Sequence, residues 1–274
     1  MLIIAVVIIL ILLCIFLYIQ NNDIVVTTYS LKINKLSKAK DSFKIVQISD
    51  LHNKDFGEKL TQLVSQQNPD IIAITGDLFD RRHTDLDVAL NTAKALTKIA
   101  PTYYITGNHE SLSPQGDDFI KQLQQTEITV LLDQKITIEK GDVRFNLIGV
   151  QDPAYTQDEE SYTKADNTQY MREKLKSLEI NQDEVNVLLS HRPELFSVYV
   201  EMGLDIVLTG HAHGGQIRVP IIGGLYSPNQ GIFPKYTSGM FTQNQTNMIV
   251  SRGLGNSAFP FRVFNRPEIV VLQI

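Results

Sequence analysis

The sequence predicts an α/β layered domain behind a single N-terminal membrane span. Three observations predict it. The chain begins with an unbroken apolar run, it then alternates strand-length β-branched segments with helical patterns, and polar side chains collect where those strands end. With 274 residues there is enough chain for one large domain with a sizeable core, or for two small ones.

The run LIIAVVIILILLCIFLYI, residues 2–19, has about the length needed to cross a bilayer. A cleaved signal peptide would open on basic residues, carry a shorter apolar stretch and end at a small-residue cleavage site, and no Lys or Arg precedes this run. Lipoprotein processing at Cys14 calls for a small residue just before it, and Leu13 is not small. Residues 1–22 therefore read as a retained anchor in the cell membrane, with residues 23–274 as the body it carries. Lys32, Lys35, Lys38 and Lys40 all follow the run, which leans towards a cytoplasmic body. They lie well beyond its end, so the side of the membrane stays open.

The overall composition is that of a soluble globular protein, 43% hydrophobic and 20% charged. A net charge of -5 and a pI near 5.7 argue against a nucleic-acid-binding surface while allowing a local basic pocket. Cys14 is the single cysteine, which excludes an internal disulfide and a cysteine-built zinc site.

After the span, IVVTTYSLKINKL alternates as an edge strand would. FKIVQIS (43–49), DIIAITG (70–76), TYYITG (102–107), EVNVLLS (184–190) and DIVLTG (205–210) are apolar runs of strand length, each closing on Ser or Gly. Helical patterns lie between them. Leu60, Leu63 and Val64 share one face before NPD, and Leu86, Ala89, Leu90, Ala93 and Leu96 share another before Ala100 and Pro101. HRPELFSVYVEMGLD puts Pro193 in a first helical turn and Gly203 at a helix stop. EITVLLD, KITIEK, VRFNLIGV, QIRVP, NMIVSRG and EIVVLQI are short strands joined by tight turns. No repeat, low-complexity tract or long linker interrupts the body, which reads as one domain.

The five strand ends carry Asp50 and His52 (SDLH), Asp77 (GDLFD), Asn108 and His109 (GNHE), His191 (SHRP), and His211 and His213 (GHAHGG). Taken singly, a His after a strand is more often a satisfied turn residue, and an Asp or Asn there is commonly a helix N-cap. Together they place five of the six histidines beyond the carboxyl edge of one layered domain, where α/β proteins build their sites. His83, in DRRHTD, lacks such neighbours and reads as a surface residue. Imidazole mixed with carboxylate oxygen suits Mn, Fe or Zn better than Mg or Ca. The donors are too many for one tetrahedral ion. Two divalent ions about 3.5–4 Å apart, bridged by a carboxylate and a solvent oxygen, would use the full set.

In order, Asp50-Leu51-His52, Gly76-Asp77-Leu78-Phe79-Asp80, Gly107-Asn108-His109-Glu110, His191 and Gly210-His211-Ala212-His213 resemble the motif series of the calcineurin-like metallophosphoesterase superfamily. The resemblance covers nearly the whole chain after the span. It implies a four-layered α/β/β/α metallophosphoesterase sandwich with a dimetal centre at the strand ends. It implies Asp50, His52 and His213 on one metal, Asn108, His191 and His211 on the other, and Asp77 bridging them. His109 is left without a metal, as proton donor or transition-state stabiliser, and Asp80 would orient it. The implied activity is metal-dependent hydrolysis of a phosphodiester or phosphomonoester by a metal-bridging hydroxide, without a covalent enzyme intermediate.

Arg81, Arg82 and Arg252 are candidates for holding a phosphate oxygen. The stretch GGQIRVPIIGGLYSPNQGIFPKY carries Ile221, Ile222, Leu225, Tyr226, Ile232 and Phe233 among many Gly and Pro. Two readings fit it: a loop that receives an acyl chain or rests on a membrane, or a cover over a small sheet. The GGQIR-P continuation, the later FPKY and the N-terminal span are similar to a membrane-associated branch of the superfamily. That similarity favours a lipid-linked or cell-envelope phosphoester. A tethered phosphodiesterase or nucleotidase for soluble substrates, and a catalytically silent scaffold on the same fold, are the competing readings. The complete donor set weighs against the scaffold. Within GHAHGG, an extended backbone would set His211 and His213 on one face, about 6.5–7 Å apart, each able to reach a different ion. Gly214 and Gly215 would then turn the chain away.

Overall fold

The computed structural model describes residues 1–162, 165–257 and 259–274. The β-branched runs become β1 (Val25–Ser30), β2 (Lys44–Ile48), β3 (Ile71–Thr75), β4 (Thr102–Ile105), β5 (Thr129–Val130), β6 (Gln134–Lys140), β7 (Val143–Gly149), β8 (Asn186–Leu189) and β9 (Ile206–Thr209). Two small ribbons follow, β10 (Arg218–Val219) with β11 (Gly223–Gly224) and β12 (Tyr226–Ser227) with β13 (Gly231–Ile232). The chain ends with β14 (Gly239–Gln243), β15 (Thr246–Val250) and β16 (Glu268–Gln273). Its helices are α1 (Leu2–Asn22), α2 (Glu58–Ser65), α3 (Leu86–Thr97), α4 (Asn108–Leu112), α5 (Gly116–Gln124), α6 (Glu159–Tyr162), α7 (Thr168–Ser177) and α8 (Phe196–Glu201).

Two six-stranded sheets form, with spatial orders β1-β16-β2-β3-β4-β5 and β14-β15-β9-β8-β7-β6. In the first, β2 to β5 run parallel; in the second, β7, β8, β9 and β15 do. Parallel strands deliver their carboxyl ends to one edge. The first and last strands of the body pair with each other, Val25 opposite Glu268, which makes β1 the edge strand its alternation suggests.

Side chains alternate across each strand and so sort the core into three apolar layers. Val46, Ile48, Ile72 and Ile74 face helices α2, α3 and α5 through Leu60, Val64, Ala93, Leu96 and Phe119. Ile45, Ile71 and Ala73 face the other sheet, where they meet Phe145, Leu147, Val187, Leu189, Ile206 and Leu208. On the far side, Leu188 and Val207 pack against Met171 and Leu175 of α7 and Phe196 and Tyr199 of α8. The architecture is the four-layered α/β/β/α sandwich that the motif resemblance implies.

Local chemistry sets the ends of these elements. The Asp85 carboxylate caps α3 by accepting from Asp87 N at 3.1 Å and Val88 N at 3.4 Å. After α8 the chain leaves through Gly203 at φ +67°. EITVLLD contributes only two residues of strand. Beyond them Leu131 drops into the layer between the sheets and Asp133 takes a left-handed turn, φ +56°.

Helix α1 spans 21 residues at a mean hydropathy of 3.6, with that apolar stretch unburied by the rest of the protein. Only Gln20 and Asn21, in its last turn, are buried. Apolar on all its faces and exposed over most of its length, the helix is long and apolar enough to cross a membrane.

Phe145 stands between the sheets with its ring edge-on to Phe43 at 5.0 Å. Phe145→Ala is expected to lower unfolding stability by about 3–5 kcal/mol through lost burial and a residual cavity. Denaturant unfolding of the full chain in detergent measures this, and an unchanged midpoint would contradict the layer assignment.

Candidate metal centre

The strands feeding this edge are buried at all but one position in β2 and one in β4, and each runs into a loop whose polar residues cannot continue an apolar ladder. The loops are sharply bent. Asp50 (φ +52°), His52 (+47°), Asp77 (+55°), His211 (+67°) and His213 (+46°) all lie in the left-handed region, which costs a residue with a Cβ roughly 1–3 kcal/mol. Bonds between loops hold them there. Asp50 N donates to Gly76 O at 3.0 Å, His52 N to Asp77 O at 3.1 Å, and His211 N to Asp50 Oδ1 at 3.0 Å.

The expectation of an extended GHAH segment is corrected here. Ala212 N donates to Gly210 O at 2.7 Å, a three-residue turn centred on His211, and a 3-10 turn follows at His213–Gly215. Two left-handed residues flanking a helical Ala212 aim the imidazoles, because an extended strand would carry them past the pocket. Gly214 and Gly215, at φ +62° and +80°, do turn the chain away.

The side chains converge in three groups, one of them His52, Asp80 and His109. Asp50, His52, Asp77 and His213 place one donor atom each within 4.8 Å of one another, and so do Asp77, His191 and His211. His52 Nε2 lies 3.0 Å from His213 Nε2, and His213 Nε2 lies 3.3 Å from Asp50 Oδ1. Asp77 Oδ2 stands between the two groups that contain it, 3.2 Å from His191 Nε2 and 3.6 Å from His52 Nε2. Asn108 Oδ1 is 3.2 Å from His191 Nε2. His191 Nδ1 donates to the Thr75 carbonyl at 2.7 Å, which turns Nε2 towards the carboxylates. His211 Nε2 donates to Asn229 Oδ1 at 3.0 Å, leaving Nδ1 with the lone pair.

This donor set fits divalent cations. Burial opposes charge on His191, yet the nearby Asp77 and Asp50 carboxylates overcome it and raise its pKa to about 10. Burial likewise pushes the Asp50 carboxyl up, with Asp77 adding to the shift. Two buried carboxylates thus recruit positive charge, which a proton or a metal ion can supply. His52 Nε2 and His213 Nε2, 3.0 Å apart, can share one proton between them or turn both lone pairs to one cation.

His109 shares its group with His52 and Asp80 and stands outside the two that contain Asp77. Burial drives its pKa down to about 3. Its Nδ1 accepts the Arg81 N–H at 3.1 Å, so the neutral ring carries its proton on Nε2. Asp80 lies 3.9 Å from His109 Nδ1 and 3.7 Å from His52 Nδ1, and its Oδ1 accepts Arg82 N at 2.7 Å. The hydrogen bond that orients His109 therefore comes from the Arg81 backbone, with Asp80 beside both rings. A cavity of about 280 Å³ opens over Asp77, Asn108, His109, His211 and His213. Arg81 and Arg82 line it, with Tyr162, Tyr226 and Phe259. Arg252 does not: it pairs with Glu268 at 2.9 Å, at the start of β16, which corrects its candidacy. His83 is exposed.

The calcineurin-like phosphoesterase family model matches residues 43–215, the segment that carries all five strand ends. The chain belongs to that family. It is 28% identical over 269 residues to the uncharacterized metallophosphoesterase YkoQ of Bacillus subtilis, covering 94% of each chain. It is 27% identical over 241 residues to the phosphodiesterase YaeI of Escherichia coli, covering 85% of this chain and 82% of that one. The solved structure of TT1561 from Thermus thermophilus shares the fold, with a TM-score of 0.53 at 12% identity over 78% of this chain and 91% of that one. The protein is a metal-dependent phosphoric ester hydrolase, and its clustered His and Asp side chains imply divalent metal ions.

Several residues of this phosphoesterase shape the centre although the sequence reading gave them no role of their own. Glu110 is buried and its carboxylate accepts Gly107 N at 2.8 Å, Asp77 N at 2.9 Å and Leu78 N at 2.7 Å, tying the loop after β3 to the loop after β4. Gly107 has to be glycine, since a Cβ there would collide with Asp77 Oδ1. Arg192, fully buried, grips Asp152 through Nε–Oδ2 at 2.5 Å and Nη2–Oδ1 at 2.7 Å. Its Nη1 donates to Asn229 Oδ1 at 2.9 Å, and its guanidinium lies 5.0 Å over the Tyr162 ring. The one sequence signal was an arginine directly after a strand-end histidine; its partner is forty positions away.

Arg192→Ala leaves Asp152 as an uncompensated buried charge and is expected to cost about 3–5 kcal/mol. Pairing Arg192→Met with Asp152→Leu is expected to restore much of that loss. Unfolding curves of the three proteins decide it, and an Arg192→Ala protein as stable as the parent would show the pair to be dispensable.

Proposed function

We propose that this phosphoesterase hydrolyses a lipid-linked or cell-envelope phosphoester, a diester in preference to a monoester, at a dinuclear centre on a membrane-anchored body. Asp50, His52 and His213 hold one ion in this reading, Asn108, His191 and His211 hold the other, and Asp77 is shared. The observation that carries it is the position of Asp77 Oδ2, within 3.6 Å of a histidine from each group. When bound, two divalent ions of the Mn, Fe or Zn kind supply positive charge against the phosphate oxygens and a nucleophile drawn from water near neutral pH.

The chain's own residues do the rest. His109 holds its proton on Nε2 and donates a hydrogen bond from there to the phosphate or leaving-group oxygen as charge builds on it, its tautomer set by Arg81 N on the other side of the ring. Arg81 and Arg82, on the cavity wall, add positive charge where a phosphate would sit. Asp80 holds the His52 and His109 rings between the two loops. Diester chemistry is favoured because a relative matched over most of its length bears the name phosphodiesterase. A lipid-type substrate is favoured by α1 and by the apolar loop beside the cavity. Ile221, Ile222, Tyr226, Ile232 and Phe233 are all exposed, so they do not cover a sheet.

His109→Ala is expected to keep its metal content by elemental analysis while kcat falls by about 10²–10⁴. Full activity in that variant would overturn its role. Chelation of the full-length protein is expected to abolish turnover, and Mn, Zn or Fe added singly identifies the ion that restores it. Rates on micellar and water-soluble phosphodiesters are then compared; equal rates would sink the lipid-linked substrate.

A further inference from the structure

Helix α1 is bonded to the body rather than trailing from it. Asn265 N donates to Gln20 Oε1 at 3.1 Å, and Arg262 N and Asn256 Nδ2 donate to Asn21 Oδ1 at 3.2 and 3.1 Å. Lysine ammonium groups cap its last carbonyls, Lys59 on Asn22 O at 3.1 Å and Lys54 on Asn21 O. The body is therefore held at one height and one rotation relative to the helix.

That height is readable. At 1.5 Å per residue, the apolar run of residues 2–19 is about 27 Å long, close to the hydrocarbon thickness of a bilayer. Phe16 lies a turn inside the run, about 4–5 Å below its end. The Phe264 ring packs edge-on against Phe16 at 5.3 Å. Pro260 and Phe261 share a cavity wall with Cys14, Leu17 and Tyr18. Any bilayer that holds α1 therefore reaches residues 260–264.

Their surface chemistry matches that depth. Phe259, Phe261 and Phe264 are 43%, 46% and 56% exposed, a concentration of aromatic surface uncommon on a face kept in water. Ile221 shares a groove with Phe264. It stands fully exposed at the tip of the β10–β11 hairpin with φ +75°, where a turn in water takes Gly, Asn or Asp. Phe259 lines the cavity over the metal centre.

We propose that residues 259–264 and the Ile221 hairpin tip form a wedge that enters the leaflet from which α1 emerges, so that the metal cavity opens onto that membrane surface. The wedge rests on α1 being the anchor proposed above. It adds a second, shallow contact with lipid, and Phe259 joins that contact to the cavity wall.

The chain contains no tryptophan, so a single introduced one is a clean reporter. Full-length Phe261→Trp and Ile221→Trp proteins are reconstituted in phosphatidylcholine vesicles with and without brominated acyl chains. Gln245→Trp, in the exposed β14–β15 turn at the opposite edge of its sheet, is the control. The two wedge reporters are expected to emit at shorter wavelength and to lose most of their emission to brominated lipid, while the control does neither. Alkaline carbonate extraction reports on the anchor separately. Protein retained in the vesicles with unquenched wedge reporters overturns the wedge alone, and protein released from them overturns anchor and wedge together. Phe261→Ser with Phe264→Ser is expected to lower turnover of a lipid-embedded phosphodiester and leave a water-soluble diester unchanged. Quenched reporters with equal parental rates on both substrates would uphold the wedge and defeat the lipid-linked substrate.

Discussion

Asp50 and Asp77 place two carboxylates beyond the reach of water at the meeting edge of two sheets, and most of the surrounding structure answers that charge. Unpaired, such a pair would be costly enough to neutralise itself by taking up protons. His52 and the histidines of two further strand ends, His191 and His213, turn nitrogen atoms towards it, and backbone N–H groups of His109 and His211 donate to it at 2.8 and 3.0 Å. The left-handed loops follow from the same constraint. Only a chain that reverses tightly after each strand can present carboxylate and imidazole to one point from two opposed sheets.

That arrangement leaves little room for backbone or side chain to be otherwise. Glu110 accepts three N–H groups from two loops, so the position of Asp77 is set by a carboxylate that never touches the cavity. On the second sheet, Arg192 stands between Asp152, Asn229 and Tyr162 and fixes the environment of His211. The two sheets thus bring separate sets of supports to one centre. The apolar layer between them keeps the sets in register.

The same supports extend to α1. Asn265 N is bonded to Gln20 of α1, while its Nδ2 donates to the His213 carbonyl at 2.7 Å and to Gln216 O at 2.9 Å. Lys54, two residues past His52, reaches Asn21 at the end of α1. Two of the loops that carry histidines are therefore braced against the last turn of the helix, one directly through Lys54 and the other through Asn265. A helix attached this way has a fixed orientation relative to the centre.

The main parallel strands, the layered class and the Asp and His residues that converge at their ends were legible in the sequence, because each depends on a short local pattern. A β-branched run makes a strand wherever it can be buried, and the polar residues just after it are carried to the strand's end. The apolar run of α1 is legible for the same reason. What the sequence could not determine is anything set by distant contacts. The backbone turn at His211 depends on Asp50, 161 positions away, the Arg192–Asp152 pair spans 40, and the Gln20–Asn265 bond spans 245. Arg252 looked free to meet phosphate until β16 brought Glu268 against it. Local pattern chooses the elements and their polar tips, whereas partners, tautomers and the depth of the aromatic loop exist only once the sheets have paired and α1 has docked.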